Sequence, residues 1–170
     1  MSTIQDKLRA PGGTIFIHEI LKETAKLSGK QEKINLLNAY MQKSPANAKL
    51  LQFFVEATFH PAVIFELPPG TPPYNQIDAA DETLAYSTLN TELRNIRYFC
   101  KGPGMIQNQI ARERQFVQAL EKLCPHEARL FIMIKDKKLD GRVYPGLTLR
   151  FFKESFPQWF PVEDADPKKA

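Results

Sequence analysis

Apolar residues recur at helical intervals along most of the chain. Ile17, Ile20, Leu21 and Leu27 mark a first amphipathic helix, and Gly29 follows as a stop signal. Ile34, Leu37, Tyr40 and Met41 mark a second. Ser44-Pro45 supplies a cap and a first-turn proline for a third, carrying Leu50, Leu51, Phe54 and Val55. These three helices, tightly connected, make a first lobe. Residues 1–13 show no such period and end in Pro11-Gly12-Gly13, so they are expected to form a flexible leader, with the fold beginning at Thr14.

The pattern breaks between Pro61 and Asp81. Leu67-Pro68-Pro69-Gly70-Thr71-Pro72-Pro73-Tyr74 cannot continue a helix, and it reads as a stiff crossover between two helical halves; a proline-rich ligand for a partner's aromatic groove is the lesser alternative. After Asp81, Leu89, Leu93, Ile96 and Cys100 predict one long helix ended by Gly102-Pro103-Gly104. Ile106, Ile110, Val117, Leu120 and Cys124 form the next stripe. Pro125 opens a helix that turns Ala128, Leu130, Phe131 and Ile134 inward, with Gly141 as its end. Thr148 caps a short helix that stops at Phe156-Pro157, and Trp159, Phe160 and Pro161 form an apolar plug. Residues 163–170 are polar and expected to be a flexible tail. Repeats and strand alternation are missing from the pattern. The expected fold is therefore all-α: a single compact bundle of about seven helices in two lobes joined by a Pro-rich loop, spanning 14–162.

Composition narrows the class. With 170 residues, 43% hydrophobic and 25% charged, the chain has the make-up of one globular domain and not of a disordered or disulfide-scaffold protein. Two cysteines give no extracellular framework, so a reducing compartment is expected. The amino terminus does not resemble a signal peptide, and no apolar run approaches the ~20 residues needed to span a bilayer. A soluble, cytoplasmic protein is the expectation. His18, His60 and His126 fall in three different elements and in no metal motif. Cys124-Pro125-His126, even with Cys100, does not make a recognisable zinc site, and both thiols are expected to be buried and structural. P-loop, nucleophile-elbow and dinucleotide signatures are missing from the sequence, and the scattered acids suit solvated helix faces. A protein without catalysis, cofactor or metal is expected.

The net charge of +4 gains meaning when mapped. From Arg129 to Lys153 run seven bases, Arg129, Lys135, Lys137, Lys138, Arg142, Arg150 and Lys153, against Asp136 and Asp140, a local excess of +5 that Glu127 and Glu154 at its edges reduce to +3. These bases surround Gly141 and Tyr144-Pro145-Gly146, a helix junction suited to nucleic-acid phosphates; a solvated face is the plain alternative. Lys101-Gly102-Pro103-Gly104, flanked by Arg94, Arg97, Arg112 and Arg114, and Ser28-Gly29-Lys30 are two further small basic turns.

Two stretches of the chain resemble a known family. Ile17-His18-Glu19-Ile20-Leu21 through Lys30 to Leu37, continuing into Leu50-Leu51-Gln52-Phe53-Phe54, is similar to the opening helices of the amino-terminal helical DNA-binding domain of bacteriophage-type ATP-dependent DNA ligases. Leu130 to Lys135, Gly146-Leu147-Thr148 and Phe156-Pro157-Gln158-Trp159-Phe160-Pro161 resemble that domain's exit toward the catalytic domain. Together they cover about half of the chain. The resemblance implies a stand-alone, phage-encoded DNA-binding module without the nucleotidyltransferase fold. Lys138-Leu139-Asp140-Gly141-Arg142 looks like the ligase lysine motif, but its arginine comes one position early and it precedes the exit segment, so adenylylation is not expected there.

The expected function is a non-catalytic, largely sequence-independent binder of double-stranded DNA, contacting phosphates through Lys30, Lys101, Lys135, Lys137, Lys138, Arg142 and Arg150. The alternative is a module that binds a replication, transcription or host-defence protein. Phe151, Phe152, Trp159 and Phe160 would be its anchors if exposed.

Overall fold

Capping side chains set where the helices begin. In the computed structural model, which describes residues 3–12, 14–77 and 84–160, Thr3 Oγ1 accepts from the Asp6 amide while the Asp6 carboxylate accepts from the Thr3 amide, starting α1 (Ile4–Arg9). Glu19 accepts from the Phe16 amide at 3.2 Å at the start of α2 (Ile17–Lys26). After α3 (Lys30–Lys43), Ser44 Oγ accepts from the Asn47 amide and Pro45 begins α4 (Pro45–Phe59). The second half carries α5 (Leu89–Leu93), a 3-10 turn at Ile96–Tyr98, α6 (Gln109–Lys122), α7 (Pro125–Lys135), α8 (Leu149–Ser155) and a 3-10 turn at Pro157–Trp159. Thr148 Oγ1 caps α8 by accepting from the Phe151 amide. The fold is an all-helical compact bundle, with eight α-helices among the described residues.

One core runs through both halves. Leu37, Tyr40, Leu51, Phe54, Leu120, Leu130, Phe131 and Ile134 are fully buried, and α4 packs on both α3 and α7. Phe131 lies 5.0 Å, ring centre to ring centre, from Phe116, which meets Phe99 edge-on at 5.4 Å. Phe152 joins α8 to α4 through Phe54 and Phe59, at 6.3 and 5.4 Å.

Four expectations are corrected. The leader contains a capped helix, α1, whose Ile4 and Leu8 pack against the core and whose Lys7 pairs with Glu19 at 2.8 Å. The long helix from Leu89 to Cys100 is broken: Phe65 and Cys100 form an antiparallel bridge, with the Glu66 amide donating to Phe99 and the Lys101 amide to Ile64, and this pairing outcompetes helix continuation. The buried stripe of α6 is Arg112, Phe116, Ala119 and Leu120, which leaves Ile110 68% exposed. Finally, α7 stops at Lys135, six residues before Gly141, because Lys137 adopts φ +57° and the Lys138 amide turns back to the Met133 carbonyl.

Between α4 and the Pro-rich segment the backbone makes few helical or sheet bonds, and its carbonyls need donors. Three cations supply them. Lys137 Nζ donates to Ala57, His60 and Val63 at 3.1, 2.7 and 2.7 Å. Arg112 Nε donates to Glu66 at 2.7 Å, and its Nη1 to Ile106 at 2.8 Å. Lys135 Nζ donates to Pro68 and Gly70 at 2.7 and 2.6 Å, while the Asp136 carboxylate accepts from the Gly70 amide. The segment from His60 to Gly70 is thus a strap fastened to the bundle by buried charge.

Candidate nucleic-acid interface

The strap explains where two of the seven proposed contact residues go. Lys135, only 5% exposed, pairs with Asp136 at 2.8 Å and lies over the Phe116 ring. Lys137 directs its ammonium inward onto the end of α4, and burial lowers its pKa below the ordinary lysine value. Neither ammonium is available to a phosphate, which corrects that part of the expected site. Charge alone reads as surface in a sequence, and both side chains depart from that rule.

The other five are exposed and fall into three groups. Lys30 and Arg150 come together on one carboxylate, Glu154, at 2.8 and 3.0 Å; these bonds hold its pKa below the usual carboxylate value. Lys101 pairs with Glu66 at 3.1 Å. Lys138 and Arg142 share a surface groove of about 620 Å³ between α7 and the 138–142 turn, with Thr71 of the Pro-rich segment on its rim.

That groove has a defined electrostatic arrangement. Asp140 accepts from the Arg142 backbone amide at 2.9 Å and from Nε and Nη2 of its guanidinium, which lowers the Asp140 pKa and leaves the Nη1 edge of the exposed arginine for a second anion. Arg129, on the outward face of α7, lines the same groove beside Ile132 and Met133. Its two acids are already engaged, Asp136 by Lys135 and Gly70, Asp140 by Arg142. Arg129 and Lys138 make no ion pair among the described residues, so the groove keeps a positive excess. The nearby Gly141 leaves its own side open, since an added Cβ would meet nothing within 4 Å.

The aromatic anchors imagined for a protein partner are largely consumed by the core. Phe151, Phe152 and Trp159 are buried, and Phe160 is half-buried against the core. Cys100 and Cys124 are buried and not joined in a disulfide, and burial pushes the Cys100 thiol up to about 11. No group of three metal-ligating side chains occurs among the described residues, and no described helix is long and apolar enough to cross a membrane.

Fold and surface together define an all-helical bundle with a cation-lined groove beside a fastened strap. The chain belongs to a family of unknown function, DUF6433, whose model matches residues 20–141, a range that contains the strap and all three of its cationic fasteners. No curated protein and no solved structure matches the chain.

Proposed function

We propose that the protein is a non-catalytic binder of duplex DNA that seats the phosphate backbone in the groove between α7 and the 138–142 turn. The observation that carries this reading is the convergence of Arg129, Lys138 and Arg142, three exposed cations from two elements, against two acids of which Asp136 is held by Lys135 and Gly70 and Asp140 by Arg142 itself. Phosphate contacts position a protein on a duplex without reading its sequence, so binding is largely sequence-independent. The similarity of the sequence to the DNA-binding domain of phage-type ligases supports the same reading, and with it a phage-encoded module acting in the host cytoplasm.

The test is a mobility shift on nicked and intact duplexes across a salt series. Wild type should bind at low salt with a steep salt dependence, and Lys138→Gln/Arg142→Gln should reduce the slope of log affinity against log salt by about 1.8, for two lost phosphates. Absence of wild-type binding at low salt would refute the proposal.

A further inference from the structure

We infer that the Lys101–Gly104 turn is a second phosphate-contact site for the same duplex, at the other end of the strap from the 138–142 groove. This rests on the duplex-DNA reading above and adds where the polyanion is held next.

The turn borders a groove of about 660 Å³ lined by both Arg97 and Lys101. Two glycines give the polyanion access. Gly102 sits at φ +148°, with open space where a side chain would be. At Gly104 a Cβ would lie 3.1 Å from Cγ and Cδ of Arg97, so the arginine stem crosses a position that only glycine leaves clear. The Arg97 guanidinium stands 5.5 Å from the Tyr98 ring centre, which steadies it over the aromatic face.

The backbone here is pinned on both sides. The Lys101 amide donates to Ile64, the Met105 amide to Gly102 and the Ile106 amide to Tyr98. Gly102 and Gly104 are exposed and their amides have no protein acceptor among the described residues; they lie beside Arg97 and beside Lys101, whose ammonium also meets Glu66 at 3.1 Å. Small amides next to arginine and lysine are the chemistry that binds a phosphate.

The strap links this groove to the one beside α7, since the Lys101 amide donates to Ile64 at one end and the Gly70 amide to Asp136 at the other. Val63 belongs both to this groove and to a second groove along the strap, and Asp136 belongs to that second groove and to the α7 groove. The second groove is walled by Ile64, Phe65, Leu67 and Pro69, and its lysines are turned inward onto the strap. A small phosphorylated ligand would need only one cationic end. Only an extended polyanion would use both.

Salt-dependent binding of a duplex decides the matter, with full-length wild type, Arg97→Gln/Lys101→Gln, Lys138→Gln/Arg142→Gln and the quadruple variant. Each double variant should lower the log–log salt slope by about 1.8, and the quadruple by about twice that. Arg97→Lys/Lys101→Arg, which keeps both charges, should retain the wild-type slope. Wild-type binding with an unchanged slope in Arg97→Gln/Lys101→Gln overturns this inference and leaves the duplex-DNA reading standing; absence of wild-type binding overturns both.

Discussion

Lys137 Nζ lies 2.7 Å from the carbonyl oxygen of His60, the residue that caps the end of α4 from seventy-seven positions earlier in the chain. A lysine on the segment after α7 therefore completes the C-terminus of another helix, also bonding Ala57 and Val63. Lys137→Met keeps the stem and removes the donors. It should destabilise the fold by ~2 kcal/mol, the scale of lost charge-assisted bonds, seen as a lower urea midpoint. An unchanged midpoint would mean that water replaces the ammonium at no cost.

Lys135 fastens the other end of the strap through Pro68 and Gly70. In Lys135→Met the packing against Phe116 persists while those two carbonyls lose their donor. Limited proteolysis should then cut the 68–77 segment faster than in wild type, with the helices still protected. Equal cutting rates would show that the prolines alone hold the segment.

Phe152 is fully buried and meets Phe54, Phe59 and Phe151. Phe152→Ala opens a cavity where α8 joins α4 and should cost ~3–5 kcal/mol in denaturation experiments. A loss below 1 kcal/mol, on the same scale, would mean that the neighbours collapse into the space.

Gly146 sits at φ +79°, and its missing Cβ leaves room for the Lys33 ammonium, 2.4 Å from where that atom would be, which also lies over the Phe151 ring. Gly146→Ala should cost ~1–2 kcal/mol from the left-handed backbone, with Lys33 displaced at little further expense. Thermal unfolding provides the measurement.

Alkaline pH should weaken the fold. Burial raises the Cys100 thiol from 9.0 to about 11 and the Tyr144 hydroxyl from 10.0 to about 12. Below pH 9 their contribution is complete, because both states keep the proton; it is lost as pH rises through the folded values. Lys137 acts with the opposite sign: its lowered pKa means the unfolded chain binds more protons between that value and 10.5, so its contribution improves with pH across that window. Urea midpoints measured between pH 9 and 11 should fall in wild type and fall less steeply in Cys100→Ala. Identical slopes would exclude the thiol as a cause.

The legible parts of the fold are those decided within one or two turns. Ser44, Pro45, Pro125 and Thr148 stand where caps and first-turn prolines are required, and the structure uses them so. The helix through Leu89 and Cys100 failed because the competing partner, Phe65, lies outside any local window. The six residues of α1 carry too little periodicity to mark a helix, although Thr3 and Asp6 form the spaced pair of a reciprocal cap.

The candidate site is less legible, since charge does not by itself mean surface. Lys135 falls four residues after Phe131 and seven after Ala128, on the apolar stripe of α7, and Arg112 falls four before Phe116 and seven before Ala119 on that of α6. A cation in that register is directed into the bundle and needs acceptors there, which a nearby helix-free segment rich in proline supplies. Arg129 lies off that stripe and reaches the groove. The same register test separates the outward cation from the inward one.

The bridge between Phe65 and Cys100 also makes the intervening chain a closed loop whose two ends are secured independently of what lies between them. A break placed between Thr71 and Tyr74 would produce two pieces, one carrying α1 to α4 with the strap and the other carrying α5 to α8. Lys137, Arg112 and Lys135 belong to the second piece and their acceptors on the strap to the first. Their bonds, with the shared core, would become contacts between two polypeptides, and the chain is in that sense a pair of complementary fragments already joined.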